Sequence, residues 1–146
     1  MSPKSGVSKF DFRGGAGDAL VAMEKEAKIM KLPAGVAFVA TQQLNGKMGE
    51  VRFLVVKNTL VRMPVVGTEG DAGTNYFGVA MMKLAVMMAY QVNSGVMRLE
   101  VKKGEVSYRG GLMRYFGGLW IYVGFSGGTE EQDVEIAKVG LSVLLP

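Results

Sequence analysis

Trp120-Ile-Tyr-Val-Gly-Phe-Ser-Gly-Gly-Thr-Glu-Glu-Gln-Asp133, continued by Val134 to Leu144, decides the fold class. Residues 119–125 form an apolar, aromatic and β-branched run of strand length. Ser126-Gly127-Gly128 turns the chain. Thr129 and Gln132 then have the spacing of a capping box, in which a hydroxyl and a side-chain amide each satisfy a backbone N–H left open at a helix start. Glu130, Glu131 and Asp133 suit the positive end of the helix dipole. The stretch predicts a strand, a glycine turn and a capped helix.

Between strand and helix, Phe125 to Thr129 also has the position of a phosphate cradle. The lysine of a P-loop and the G-x-G-x-x-G spacing are both missing. Two negative charges about 6 Å apart repel by roughly 1–3 kcal/mol at an effective dielectric of about 20–60, and an anion here would meet three carboxylates. The segment therefore reads as a helix start. Glu130, Asp133 and the Ser126 hydroxyl are also the candidate ligands for a hard cation such as magnesium, although acidic first turns are common without one.

Upstream, Leu112 to Phe116 and Leu119 to Phe125 flank Gly117-Gly118 and predict a hairpin. Met97, Leu99 and Val101 alternate with Arg98, Glu100 and Lys102, the pattern of a half-buried strand. Lys103-Gly104 would turn it, placing Lys102 opposite Glu105 and Val101 opposite Val106. Val36 to Thr41 and Val51 to Val56 are β-rich runs joined by a polar connection containing Asn45-Gly46. Leu20, Met23, Ala27 and Met30 form one stripe of a helix capped by Asp18 and ended by Pro33 and Gly35. Residues 1–15 read as a tail and 16–146 as a single domain. Pro64 to Thr74 reads as a loop, a common place for a ligand site. The order of elements predicts an α+β domain with a five-stranded antiparallel sheet and about three helices.

Composition removes whole classes of chemistry. The chain has 146 residues, a net charge of +4, and neither cysteine nor histidine. Disulfides, thiolate catalysis, imidazole general bases and histidine metal ligands are excluded, so acid–base work falls to Asp, Glu, Lys or Tyr. No apolar run is long enough to span a bilayer, and the first fifteen residues lack a hydrophobic signal segment. A cytoplasmic protein with no membrane partner is expected. Arg98, Lys102, Lys103, Arg109 and Arg114 lie near Tyr108, Tyr115 and Phe116, a composition that nucleic-acid surfaces also use. No nucleic-acid motif accompanies them, so they read as a solvated face and no nucleic-acid partner is expected.

Gly78 to Tyr90 predicts a central helix that is apolar nearly all round, which calls for a second layer or a partner subunit. Met81, Met82, Met87 and Met88 lie on it. Thioethers can ligate Cu(I) or haem iron, but methionine is more often an adaptable core filler. Lys83 is the one charge on this helix. It either snorkels to water or sits at a pocket beside a carboxylate or a ligand acid.

These residues together resemble the HbpS/GlcG-like family, which includes the C-terminal domain of PduO-type proteins. The likeness is clearest over Gly104 to Leu144. It rests on Gly110-Gly111-Leu112-Met113, on Gly124-Phe125-Ser126-Gly127-Gly128 and on Thr129-Glu130-Glu131-Gln132-Asp133, with Lys83-Leu84-Ala85 resembling the family's Lys-Ala pair. The resemblance implies profilin-like α/β/α layers and a homo-oligomer. It also implies a binding role: some members bind haem, others occur beside cobalamin or glycolate metabolism. The chain departs from the pattern at Met113, where the family has proline, at Ile121 and Tyr122, where it has small residues, and at Ala40, where it has an acid. The histidine ligands of haem-binding members have no counterpart.

The expected function is thus a non-catalytic small-molecule or cofactor-binding accessory module, oligomeric, with its pocket where Lys83, Gly110, Gly111, Ser126, Gly127 and Gly128 meet. Lys83 would face an acidic ligand group and the glycines would admit close backbone approach. The cofactor is open, with haem one candidate. The alternatives are a haem-binding protein without a histidine ligand, a lysine-dependent isomerase or lyase using Lys83 with Tyr122 or Asp133, and an assembly protein whose methionine face is an interface.

Overall fold

The strand Gly35–Gln43 (β1) is buried along all but its last residue, because both of its faces are covered. In a computed structural model that describes residues 12–62, 72–96 and 101–146, β1 pairs antiparallel with Met48–Val56 (β2) on one side and Leu119–Ser126 (β6) on the other. Gly111–Phe116 (β5) completes a four-stranded sheet in the order β2-β1-β6-β5. Alternation along β1 divides the core. Ala37 and Val39 join one apolar cluster, while Val36, Phe38 and Ala40 join the other.

The first cluster packs Phe12–Ile29 (α1) and Glu130–Leu144 (α3) on one sheet face. The second packs Tyr76–Tyr90 (α2) on the opposite face. The result is an α+β domain of three layers, with helices on both sides of an antiparallel sheet. Met87 and Met88 are buried in the second cluster as packing groups, whereas Met81 is 49% exposed. Among the described residues, no helix is long and apolar enough to cross a membrane.

Three expectations are corrected. The main sheet has four strands among the described residues, not five, and a separate two-stranded ribbon pairs Val61–Arg62 (β3) with Thr74–Asn75 (β4). Residues 97–100 of the expected fifth strand lie outside the described residues. Its turn is present, with the Glu105 N–H donating to the Lys102 carbonyl at 2.9 Å. No ladder forms around it among the described residues, and two of the backbone donors there go to side chains: the Glu105 carboxylate accepts from Lys102 N–H and the Glu130 carboxylate from Arg109 N–H.

The second correction concerns α1, which starts at Phe12 rather than near Asp18 and so includes residues 12–15. Phe12 and Ala16 are buried, and their packing outweighs the low helix propensity of the intervening glycines. Those glycines also let the helices approach, since a Cβ on Gly15 would lie 2.9 Å from Leu144. The third is the loop expected over Pro64 to Thr74. Residues 63–71 lie outside the described residues, but its end is a strand, because Thr74 pairs with Arg62.

Candidate functional site

Lys83 is 1% exposed, and its position follows from the layering. It projects from α2 toward the junction of β6 and α3. There its ammonium donates to the Asp133 carboxylate at 2.9 Å and to the Phe125 carbonyl at 2.8 Å. Asp133, 4% exposed, is fixed in turn by the Gly128 N–H, which donates to its other oxygen at 2.8 Å. The glycine turn ahead of α3 thus delivers backbone donors to a carboxylate one turn into the helix. Thr129 closes the capping box with Gln132 as its spacing predicts.

Burial works on both members of the pair. It lowers the Lys83 pKa below its ordinary value of 10.5, against the opposing pull of Asp133 and, more weakly, Glu130. It raises the Asp133 carboxyl to about 6, against Lys83 and the N–H groups of Gly128 and Gly127. Both charges are therefore less stable than in water, and each depends on the other to remain.

A cavity of about 360 Å³ opens beside the pair. Arg62 and Thr74, paired in the β3–β4 ribbon, form one wall, and Tyr76, Val79 and Lys83 of α2 form another. Tyr108, Ser126, Gly128, Thr129, Glu130 and Asp133 complete it. Ser126 is 2% and Tyr76 7% exposed, yet neither side-chain hydroxyl has a hydrogen-bond partner among the described residues. No inaccessible side-chain oxygen or nitrogen lacks a partner either. Both hydroxyls must therefore reach open space, and the cavity is the space that both residues line. Lys83 adds a third donor, because an ammonium carries three N–H groups and two are engaged.

Of the six residues singled out in the sequence, Gly111 stands apart from this pair and the other five belong to it or border it. Lys83, Ser126 and Gly128 line the cavity, and the Gly127 backbone N–H adds to the pull that favours the Asp133 carboxylate. Gly110 supports the pair from behind. Its φ is +127°, and a Cβ there would lie 2.6 Å from Lys83 Nζ and 2.7 Å from Asp133 Cβ. Gly111 faces α2 instead, where a Cβ would strike Met87 Sδ at 2.3 Å, and its N–H donates to Ser94 Oγ. Tyr122 is not among the lining residues. Its hydroxyl is bonded to Gln42, and burial raises its pKa to about 12.

Sequence reasoning missed Arg62, Thr74, Tyr76 and Tyr108 as wall residues. Only folding brings their three segments together, and no local spacing marks them. Of the candidate cation ligands, Asp133 is committed to Lys83, while Glu130 accepts from Arg109 N–H and faces its guanidinium at 3.5 Å. Arg109 also pairs with Glu131 at 2.8 Å, so part of the basic patch is neutralised within the fold. Arg98 lies outside the described residues.

No family model and no curated protein matches the chain. Solved structures match it in fold. ORFY of Klebsiella pneumoniae, a DUF336 protein, is similar with a TM-score of 0.58 at 17% identity, over 99% of this chain and 97% of its own. The PduOC:heme complex gives 0.62 at 18% identity, over 93% and 95%. HbpS gives 0.50 at 17% identity, over 98% and 97%. The chain has the HbpS/GlcG-like fold. At such identities the likeness is one of fold, so what an HbpS/GlcG-like fold with these side chains can hold is a question for the cavity itself.

Proposed function

We propose that the protein is a small-molecule-binding accessory module without catalytic chemistry of its own, working as a homo-oligomer, with its ligand in the cavity beside Lys83. The observation that carries this reading is the convergence of unsatisfied donors on one cavity: the Ser126 and Tyr76 hydroxyls and the remaining N–H of Lys83. Both hydroxyls face open space without a protein partner among the described residues, so water satisfies them in the free protein and a ligand with acceptor groups can replace it. At about 360 Å³ the cavity falls at the low end of the range for ligand pockets, roughly 300–1,000 Å³. Tyr115 and Phe116, exposed on the edge strand β5, support assembly.

The PduOC:heme complex raises haem as a ligand for the fold. The side chains here do not fit it. The sequence has no histidine or cysteine, no methionine is among the described residues that line the cavity, and Lys83 is held by Asp133. The phenols of Tyr76 and Tyr108 are what the walls offer as axial ligands. A lysine-dependent isomerase or lyase is favoured by one observation, the desolvation of Lys83, which is how imine-forming lysines are activated. Borohydride trapping with small carbonyl compounds tests that reading through a covalent adduct mapped to Lys83.

The binding reading is tested by thermal denaturation against a panel of small acids, amides, alcohols and tetrapyrroles. At least one small polar compound is expected to raise the midpoint, and Ser126→Ala to reduce the shift. A panel without any shift would overturn it. Analytical ultracentrifugation tests the assembly, and a monomer at all accessible concentrations would remove that part.

A further inference from the structure

We propose that the cavity takes a small monocarboxylate, and that the bound carboxylate displaces Asp133 as the partner of Lys83, so that binding draws one proton onto Asp133. The inference rests on the binding reading above and adds the ligand's chemical class and its coupling to pH.

Four ionisable side chains of opposite sign line the cavity, Arg62 and Lys83 against Glu130 and Asp133, and they balance. Lys83 and Asp133 satisfy each other, and Glu130 is engaged by Arg109. Arg62 has no ion pair among the described residues and is exposed at the rim. The open donors of Lys83, Ser126 and Tyr76, with Arg62 behind them, ask for an acceptor-rich anion. Its charge must be single. A phosphate monoester carries about −1.5 to −2 near neutral pH, and the extra charge would lie beside Glu130 and Asp133 with only Arg62, exposed at the rim where solvent screens it, to compensate.

A monocarboxylate at Lys83 still meets Asp133, which shares the same ammonium. Two ionised carboxylates in contact with one ammonium, one of them the buried Asp133, repel each other, and the usual resolution is one proton shared between them. Asp133 is the member prepared to accept it, because burial already disfavours its charge. Once protonated, its Oδ2–H can donate to the ligand carboxylate while Oδ1 continues to accept from Gly128. The net charge of the site is then unchanged: one carboxylate enters and another is neutralised by a proton from solvent. The charged and titratable groups around Asp133 are Lys83 and Tyr76 on α2, Arg62 on β3, Tyr108 and Arg109 ahead of β5, and Glu130 on α3. Among them Lys83 is the group within direct bonding distance of Asp133.

Calorimetric titration of the whole chain with benzoate, benzamide and phenyl phosphate, in two buffers of different ionisation enthalpy, tests the proposal. Benzoate is expected to bind at least tenfold more tightly than either analogue. It should take up close to one proton at pH 8, and its affinity should fall about tenfold from pH 7 to pH 8, as linkage of one proton requires. Asp133→Asn should bind benzoate with no proton uptake and no pH dependence. If that variant does not fold, the two-buffer measurement on the wild type decides alone. Benzoate binding without proton uptake, or benzamide binding as tightly as benzoate, would overturn the proposal and leave the binding reading intact. No binding by any of the three also overturns it. The binding reading fails as well only if the wider panel is silent.

Discussion

Replacing Lys83 by Met removes the one cation bonded to Asp133 among the described residues while nearly preserving volume. In the wild type the Asp133 carboxyl is raised to about 6. A carboxyl raised on folding contributes stability that is fully present below its unfolded value, near 3.9, and lost as pH climbs to the folded value. For the wild type that loss is complete near pH 6. Without Lys83 the folded value moves higher, toward the ~8–9 reached by buried carboxyls, and the loss continues at about 1.4 kcal/mol per pH unit. Between pH 6 and pH 8 the variant should therefore lose about 2.7 kcal/mol that the wild type keeps. For a domain of this length that is a fall of roughly 5–10 °C in Tm. Urea unfolding of both proteins at pH 6, 7 and 8 measures it directly, with m-values checked for constancy. The double variant Lys83→Met/Asp133→Leu should lose the slope, because no buried carboxyl remains. Parallel pH profiles for wild type and Lys83→Met would refute the reasoning. They would mean that the N–H groups of Gly127 and Gly128 hold the carboxylate ionised without help from the lysine.

Gly110→Ala should destabilise by about 2–4 kcal/mol, from backbone strain at a positive φ plus overlap with Asp133 and the Phe125 carbonyl. Gly118→Ala, at φ +81° with open space around it, carries only the strain and should cost about 1–2 kcal/mol; equal losses in urea titrations would contradict the packing described. Gly124→Ala would place a methyl 2.2 Å from the ring of its cross-strand partner Phe38 and should cost about 1–3 kcal/mol. Much of that loss should return in the Phe38→Leu background, as a double-mutant cycle would show. Thr129→Ala removes the cap of α3 and should cost about 1 kcal/mol at any pH between 5 and 8.

Local chemistry carried much of the fold into the sequence. The capping box at Thr129, the Gly117-Gly118 hairpin and the polar connection after β1 are spacings of two to four residues, and each appears where the spacing puts it. The start of α1 was hidden because Phe12 and Ala16 earn their helical place through contacts with distant residues, against local propensity. The expected hairpin around Gly104 shows that a correct turn does not oblige its arms to pair: no ladder follows it among the described residues, and Arg109 N–H goes to the distant Glu130 carboxylate instead. At the site, Lys83 stood out as the single charge on an apolar helix. Its alternatives, water or a carboxylate, could be separated only by tertiary structure. Asp133 was visible merely as one of three acids in a first helical turn, and nothing in the sequence distinguishes the one that turns inward. Arg62 and Tyr76 had no signal, and Tyr108 was noted only beside the basic cluster, because a cavity wall assembled from three segments has no period.

The pairing of β1 with β6 has a consequence for the chain as it is made. Val36 lies opposite Ser126 and Gln43 opposite Leu119, so the central strand must wait for a partner that emerges more than seventy residues later. At roughly 5–20 residues per second, synthesis of that interval takes about 4–17 s. Throughout it, β1 has only β2 beside it and shows one unpaired edge rich in alanine, valine and phenylalanine, the kind of edge that recruits other strands. The binding cavity inherits the same delay, since Lys83 leaves the ribosome well before Asp133 does. Crowded nascent chains of this protein are therefore exposed to misassembly in that window, and a partially synthesised chain has no site for a ligand to stabilise.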